Sequence, residues 1–294
     1  MNHQFFSSLP AAIAVAAGLF LGANSSSAAV TYSVGDLLLG FHTDAGTGSG
    51  TSFVVNVGSA ASYKTNALTV PSVTDIGSVL ASTYGNNWFS RTDLYWGIAA
   101  VRDYAGGGPN TVVNGDAKAT IYISRAASAP GASTAWSLAS GSTVISAATS
   151  IGTMQGASGS DTSLTGGFEG STEASGTSGR GVLQDEGTTI NSWDEFNPVN
   201  GTAFGGILTG GIQGALGTGS TAYLDLYRVV GRTSASASPN DAAGVGRYIN
   251  TFTLKSQGII GTTSTAVPEP GAGLAAALLV CAAALRRRRK GKGL

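Results

Sequence analysis

The sequence predicts an all-β body, an antiparallel β-sandwich or jelly-roll-like fold, and three observations carry that expectation. Short segments rich in β-branched and aromatic residues recur along the chain, with turn residues between them. Within residues 30–262, no stretch with helical spacing runs convincingly beyond about ten residues. Glycine is abundant, 44 of 294, without a G-X-Y period, which marks many tight turns and excludes collagen. A hydrophobic fraction of 42% is too high for a wholly disordered chain.

The first strand is expected in VTYSVGDLLLGF, Val30 to Phe41, and the second in TSFVVNVG, Thr51 to Gly58. The glycine-rich HTDAGTGSG between them makes a hairpin with a long, flexible loop. A short helix fits Asp75 to Thr83, begun by Thr74 or Asp75 as a cap. Two strands follow, Thr92 to Val101 and Ala117 to Arg125, with Asn114-Gly115 as the turn before the second. Residues 126–181 are rich in Ser, Ala, Gly and Thr and read as a partly ordered surface excursion. Trp136, Leu138, Val144, Ile145, Ile151 and Met154 allow a short helix or two inside it. TAFGGILTGGI reads as a further apolar segment. TAYLDLYRVVG, Thr221 to Gly231, alternates Tyr223, Asp225 and Tyr227 with Leu224, Leu226 and Arg228, the pattern of a half-buried strand. The last candidate is Arg247 to Ile260.

The two ends differ from this body. Ala11 to Leu21 is apolar and leads into small residues at Ser26, Ser27, Ala28 and Ala29, as in a signal peptide, residues 1–29, cut near Ala28 or Ala29. Its first ten residues carry no Lys or Arg. At the other end, Gly271 to Leu285 is uncharged, and as a helix at about 1.5 Å per residue it spans roughly 22 Å. That is short of a hydrocarbon core of about 30 Å, so it makes a marginal transmembrane helix. Arg286, Arg287, Arg288, Arg289, Lys290 and Lys292 follow it and favour the cytoplasmic side of the inner membrane. Residues before Val267 are then expected across that membrane, with the chain exported.

Val267-Pro268-Glu269-Pro270, the apolar helix and the basic tail occur in that order over residues 267–294. This arrangement resembles the PEP-CTERM sorting signal of Gram-negative bacteria. The resemblance implies cleavage by signal peptidase and processing near the Pro-Glu-Pro by exosortase, a membrane transpeptidase-like enzyme. It further implies a transient membrane anchor, then release to the cell surface or extracellular matrix, often in company with exopolysaccharide. Gly291 to Leu294 extend beyond the arginine cluster. YSVGDLLLGF, RTDLYWGIAAV and INTFTLKSQGII also resemble a group of PEP-CTERM bodies with no assigned activity.

Setting both ends aside changes the charge. The chain has 16 basic and 16 acidic residues, and the tail holds six of the former and Glu269. The body keeps 10 against 15, about −5, and such an acidic balance argues against nucleic acid as a partner. The lone cysteine, Cys281, sits in the apolar tail. The body therefore has no disulfide, no thiolate nucleophile and no cysteine-based zinc site.

Chemistry in the body is sparse. His42 is the one histidine after the leader, no G-x-S-x-G elbow accompanies it, and its place is a strand end facing water. The loop glycines 46, 48 and 50 lack the Gly-Lys-Ser/Thr ending of a P-loop. The densest polar cluster, Leu183 to Gly201, holds Asp185, Glu186, Trp193, Asp194 and Glu195. A solvated acidic loop is the default for such a cluster. Calcium is the one cofactor it suggests, although EF-hand and RTX spacings are missing. Glu186 with Glu195 or Asp194 could form a glycosidase carboxylate pair. Among Trp88, Trp96, Trp136 and Trp193, Trp96 is expected in the core, and Trp193 is the surface candidate for stacking on sugar rings. The sequence thus favours a non-enzymatic, exported surface or matrix protein, structural or adhesive, that contacts exopolysaccharide. A carbohydrate-binding module is the alternative, and a carboxylate-based glycan hydrolase the third reading.

Overall fold

The computed structural model describes residues 32–64, 76–102, 112–113, 115–136, 141–155, 165–166, 172–174, 180–187, 189, 191–198, 201–207, 211–217, 219–230 and 246–263. The expected signal peptide, residues 1–29, Val267-Pro268-Glu269-Pro270, the apolar run and the basic tail lie outside these residues. Among the described residues no helix is long and apolar enough to cross a membrane.

The strands are β1 (Tyr32–Ser33), β2 (Asp36–His42), β3 (Thr51–Ser59), β4 (Tyr95–Val101), β5 (Val112–Val113), β6 (Asp116–Ala117) and β7 (Ile121–Ala127). They continue with β8 (Thr165–Gly166), β9 (Thr172–Glu173), β10 (Gly181–Asp185), β11 (Gln213–Ala215), β12 (Thr221–Val229), β13 (Gly246–Lys255) and β14 (Ile260–Thr263). The helices are α1 (Ile76–Tyr84), α2 (Gly141–Met154) and α3 (Trp193–Phe196). Ten strands form one antiparallel sheet in the order β14-β13-β12-β7-β4-β2-β3-β10-β9, with β11 attached beside β4. Among the described residues, β1 with β8 and β5 with β6 form two separate two-stranded ribbons. The expected hairpin is β2–β3, with Leu39 opposite Val55 and Phe41 opposite Phe53. The all-β, antiparallel expectation holds, and the strands build a curled half-barrel sheet.

The curl follows from one contact. β3 and β13 stand five strand spacings apart in the sheet, roughly 24 Å if flat at about 4.8 Å each. Yet Tyr63, just past β3, donates from its hydroxyl to Val57 O at 2.6 Å and rests its ring 5.2 Å from Phe252 on β13. A tyrosine cannot span that gap, so the sheet bends toward this face. Phe53, Val55, Leu39, Phe41, Trp96 and Leu226 fill the concavity, and α1 adds Ile76, Val79 and Leu80.

The opposite face carries a second core. Leu38, Val54, Ala99, Val101, Ile121 and Ile123 point there in period-two alternation with the first set. α2 covers them with Val144, Ala147, Ala148, Ile151 and Met154, the i, i+3, i+4, i+7 stripe of an amphipathic helix. At 14 residues, α2 is longer than any helix expected in the body. Alanines make up much of its stripe, so a count of large apolar residues understates it.

Covering both faces also corrects the half-buried reading of β12. Asp225 is fully buried, and its carboxylate accepts from Gly131 N (2.8 Å), Ser133 N (2.9 Å), Ser133 Oγ (2.7 Å) and Thr251 Oγ1 (2.6 Å). The segment around Gly131 and Ser133 lies over this carboxylate as a lid. The other strand expectations land on β4, β6 with β7, β12, and β13 with β14. Among its described residues, the TAFGGILTGGI segment holds an isolated bridge, Ala203 to Ile207, and the strand beyond it starts at Gln213.

Candidate functional site

Three pieces of chain meet where β2 ends. The first is the β2–β3 loop. Arg91 straps it, donating from Nη2 to Ala45 O (2.7 Å) and Thr43 Oγ1 (3.2 Å) and from Nη1 to Thr47 O and Tyr84 O. Asp93 holds that guanidinium through Nε and Nη2 at 2.9 and 2.8 Å, and Arg91 in turn draws the Asp93 carboxyl below its usual pKa. The loop read as flexible is tied down by a side chain 44 residues away.

The second piece is the turn after β10. β10 pairs with β3, with Gln184 opposite Ser52. Glu186 follows, donating its N–H to Gly50 O and accepting from Ser52 Oγ at 2.9 Å. Burial and then the negative charge of Asp194 push the Glu186 carboxyl above its ordinary pKa, while the Ser52 bond and His42 oppose the rise.

The third piece is α3. Ser192 caps it, its Oγ accepting from Glu195 N at 3.2 Å, and Glu195 reaches back to Asn191 N at 3.0 Å. This turn aims Trp193 inward. Trp193 N–H donates to Gln184 Oε1 at 2.9 Å, and the indole lies against Gly40 of β2. Only glycine permits that approach, because a Cβ at position 40 would fall inside the indole. Phe204 closes the far side, edge-on at 6.0 Å.

Anchoring Trp193 carries its neighbour Asp194 to His42. His42 ends β2 and is fully buried, which corrects its placement in water. Leu38, Gly40 and His42 share one face of the strand, and that face is covered. His42 Nδ1 lies 3.3 Å from Asp194 Oδ1, and Nε2 lies 2.5 Å from Gln213 Oε1. Gln213 arrives on β11, which wedges beside Tyr95–Gly97 of β4. Ser124 pins the fork, accepting from Ile98 N and donating to Ile212 O. The nearest donor atoms of His42, Asp44 and Asp194 all lie within 4.8 Å of one another.

The predicted acidic cluster is thus divided. Glu186 and Asp194 converge on the site. Asp185 is exposed and accepts from Gly187 N, and Glu195 serves the cap. Trp193 is fully buried, which removes it as a sugar-stacking surface, and Trp88, Trp96 and Trp136 are buried as well. The sequence reading missed His42, Asp44 and Gln213 as partners of this cluster. One signal was present: DLLLGF is apolar at both parities, so both faces of β2 are buried and a histidine continuing it is enclosed. No protein-family model, curated protein or solved structure matches the chain.

Proposed function

We propose that this chain is an exported surface or matrix protein, delivered by a PEP-CTERM-type signal, and that its body acts structurally or adhesively beside exopolysaccharide. The observation that carries the reading is the order of features after the body. β14 ends at Thr263, and Val267-Pro268-Glu269-Pro270, the apolar run 271–285 and the basic tail follow directly. On this reading the inner membrane holds the protein briefly, exosortase acts near Pro270, and the sheet is what remains outside. The curled sheet, with both ends sharing one core, supplies a sandwich-like platform for that role. Mass spectrometry of the protein from cells and from culture medium tests it. A mature C-terminus near the Pro-Glu-Pro supports the reading. Arg286 to Leu294 intact on most of the surface protein overturns it.

One observation favours a second reading, a glycan hydrolase. Glu186 has a raised pKa and stands within the field of Asp194, the environment of a general acid beside a carboxylate. Polysaccharide turnover by the purified protein that disappears in Glu186→Gln would support it. Absence of turnover leaves the structural role.

A further inference from the structure

The proton arrangement at His42 is fixed by its neighbours. Gln213 Nε2 donates to Asn197 O at 3.0 Å and Pro198 O at 3.3 Å, so its amide orientation is set and Oε1 must face His42. Nε2 of the imidazole therefore carries the hydrogen and donates to that oxygen. In the neutral ring this leaves Nδ1 with a lone pair, pointed at a carboxylate oxygen of Asp194. Two acceptors facing each other at this distance, one of them fully buried, call for something positive between them. Either a second proton or a cation fills the role.

Distance and donor set favour the cation. A charge-assisted N–H···O bond is about 2.7–2.9 Å long, whereas the pair here is 3.3 Å apart. Two ligands each about 2.1 Å from a shared tetrahedral ion sit roughly 3.4 Å apart. Asp44 supplies a third donor from the strapped loop. The Nε2–H to Gln213 bond is the outer-shell contact that metal-ligating histidines make through their second nitrogen. Calcium prefers oxygen alone, and an imidazole with carboxylates suits a borderline ion such as Zn²⁺. We propose that His42 Nδ1 and the carboxylates of Asp44 and Asp194 hold one zinc-class divalent cation, with Glu186 beside them and the outer position open to water. Asp44 is exposed and the Asp194 side chain is 31% exposed, which gives the ion an entry path.

The test uses the full-length protein in detergent, stripped with EDTA and desalted, then titrated with Zn²⁺ by calorimetry, with Co²⁺ absorption as a spectroscopic reporter and Ca²⁺ as a comparison. One equivalent of Zn²⁺ is expected to bind, and Co²⁺ to give an absorption spectrum with an imidazole ligand. Asp44→Asn and Asp194→Asn should each weaken binding at least about tenfold. Asp185→Asn, in the same acidic segment but turned to solvent, should bind as the unaltered protein does. Asp44 is exposed, so its variant keeps the test valid even if a His42 variant fails to fold. The proposal is overturned by the absence of saturable Zn²⁺ uptake, by unchanged affinity in Asp44→Asn and Asp194→Asn, or by equal loss in Asp185→Asn. Binding of Ca²⁺ in preference to Zn²⁺ overturns the assignment of Nδ1 as a ligand.

Discussion

Gly40→Ala puts the packing of Trp193 under a direct test. A Cβ at position 40 would enter the indole, with Trp193 Cε3 at 2.7 Å and two further ring atoms closer still. Carbon atoms pack at about 3.5–4.0 Å, so the ring must slide by an ångström or more. It has little room, since Phe204 backs it and the Trp193 backbone N–H is held by Gln184. Overpacking of this kind costs about 1–3 kcal/mol, and a rigid partner argues for the upper half of that range. Trp193→Ala alone should cost about 3–5 kcal/mol. With the indole gone the new methyl fits, and replacing glycine by alanine inside a strand gains about 0.5–1 kcal/mol. The same substitution should therefore destabilise the native background and stabilise the Trp193→Ala background. Urea denaturation of the four proteins, followed by far-ultraviolet circular dichroism, reads the sign in each. The same sign in both backgrounds would refute the account of Gly40. The displacement also moves Asp194, so Gly40→Ala should weaken Zn²⁺ binding although Gly40 offers no ligand.

Burial raises the Tyr63 hydroxyl to a pKa of about 12, against an ordinary value of 10.0. A raised folded pKa means its contribution is complete below pH 10 and is lost as pH climbs toward 12, because the unfolded tyrosine ionises first. Two pH units correspond to at most about 2.7 kcal/mol. In alkaline titrations of stability, Tyr63→Phe should flatten part of that decline while costing about 1 kcal/mol near neutrality for the lost bond to Val57 O. An unchanged alkaline slope would count against it. Asp225→Ala strands the donors that hold the lid segment and should cost about 3 kcal/mol or more by urea denaturation. Amide exchange at Gly131 and Ser133 should accelerate together, and a cost under about 1 kcal/mol would mean the lid is held by other contacts.

The strands were legible because their periodicity is local. Phe53, Val55 and Val57 alternate with Ser52, Val54 and Asn56 in the sequence just as they do across β3. What covers each face was not legible, since coverage is a long-range property. Asp225 between two leucines reads as a solvent-facing residue until the chain near Gly131 is known to pass over it. The same limit hid the site. Asp194 and His42 are 152 residues apart, and Gln213 is 171 from His42. The acidic segment was visible as composition, but the cap at Ser192, which sorts its members into turn-makers and site residues, acts through backbone geometry. Trp193 was misplaced because a tryptophan among acids looks exposed. Its burial depends on a glycine far away in sequence.

On the sorting reading, the body meets an oxidising compartment without cysteine of its own. Cys281 lies in the tail, so no disulfide can form within this sheet. A cation between His42, Asp44 and Asp194 would close a comparable loop, joining the end of β2 to α3 across 152 residues. A covalent link closing a loop of that order is worth roughly 4–5 kcal/mol in chain entropy. An ion contributes by mass action instead, about 2.7 kcal/mol at a hundred times its dissociation constant. The difference has a functional side. A disulfide is permanent once formed, whereas a cation clamp is set by the free metal around the protein. On the sorting reading, the chain would meet that metal only after crossing the inner membrane. On that reading, stability would rise on arrival at the surface and would fall again wherever chelation strips the ion.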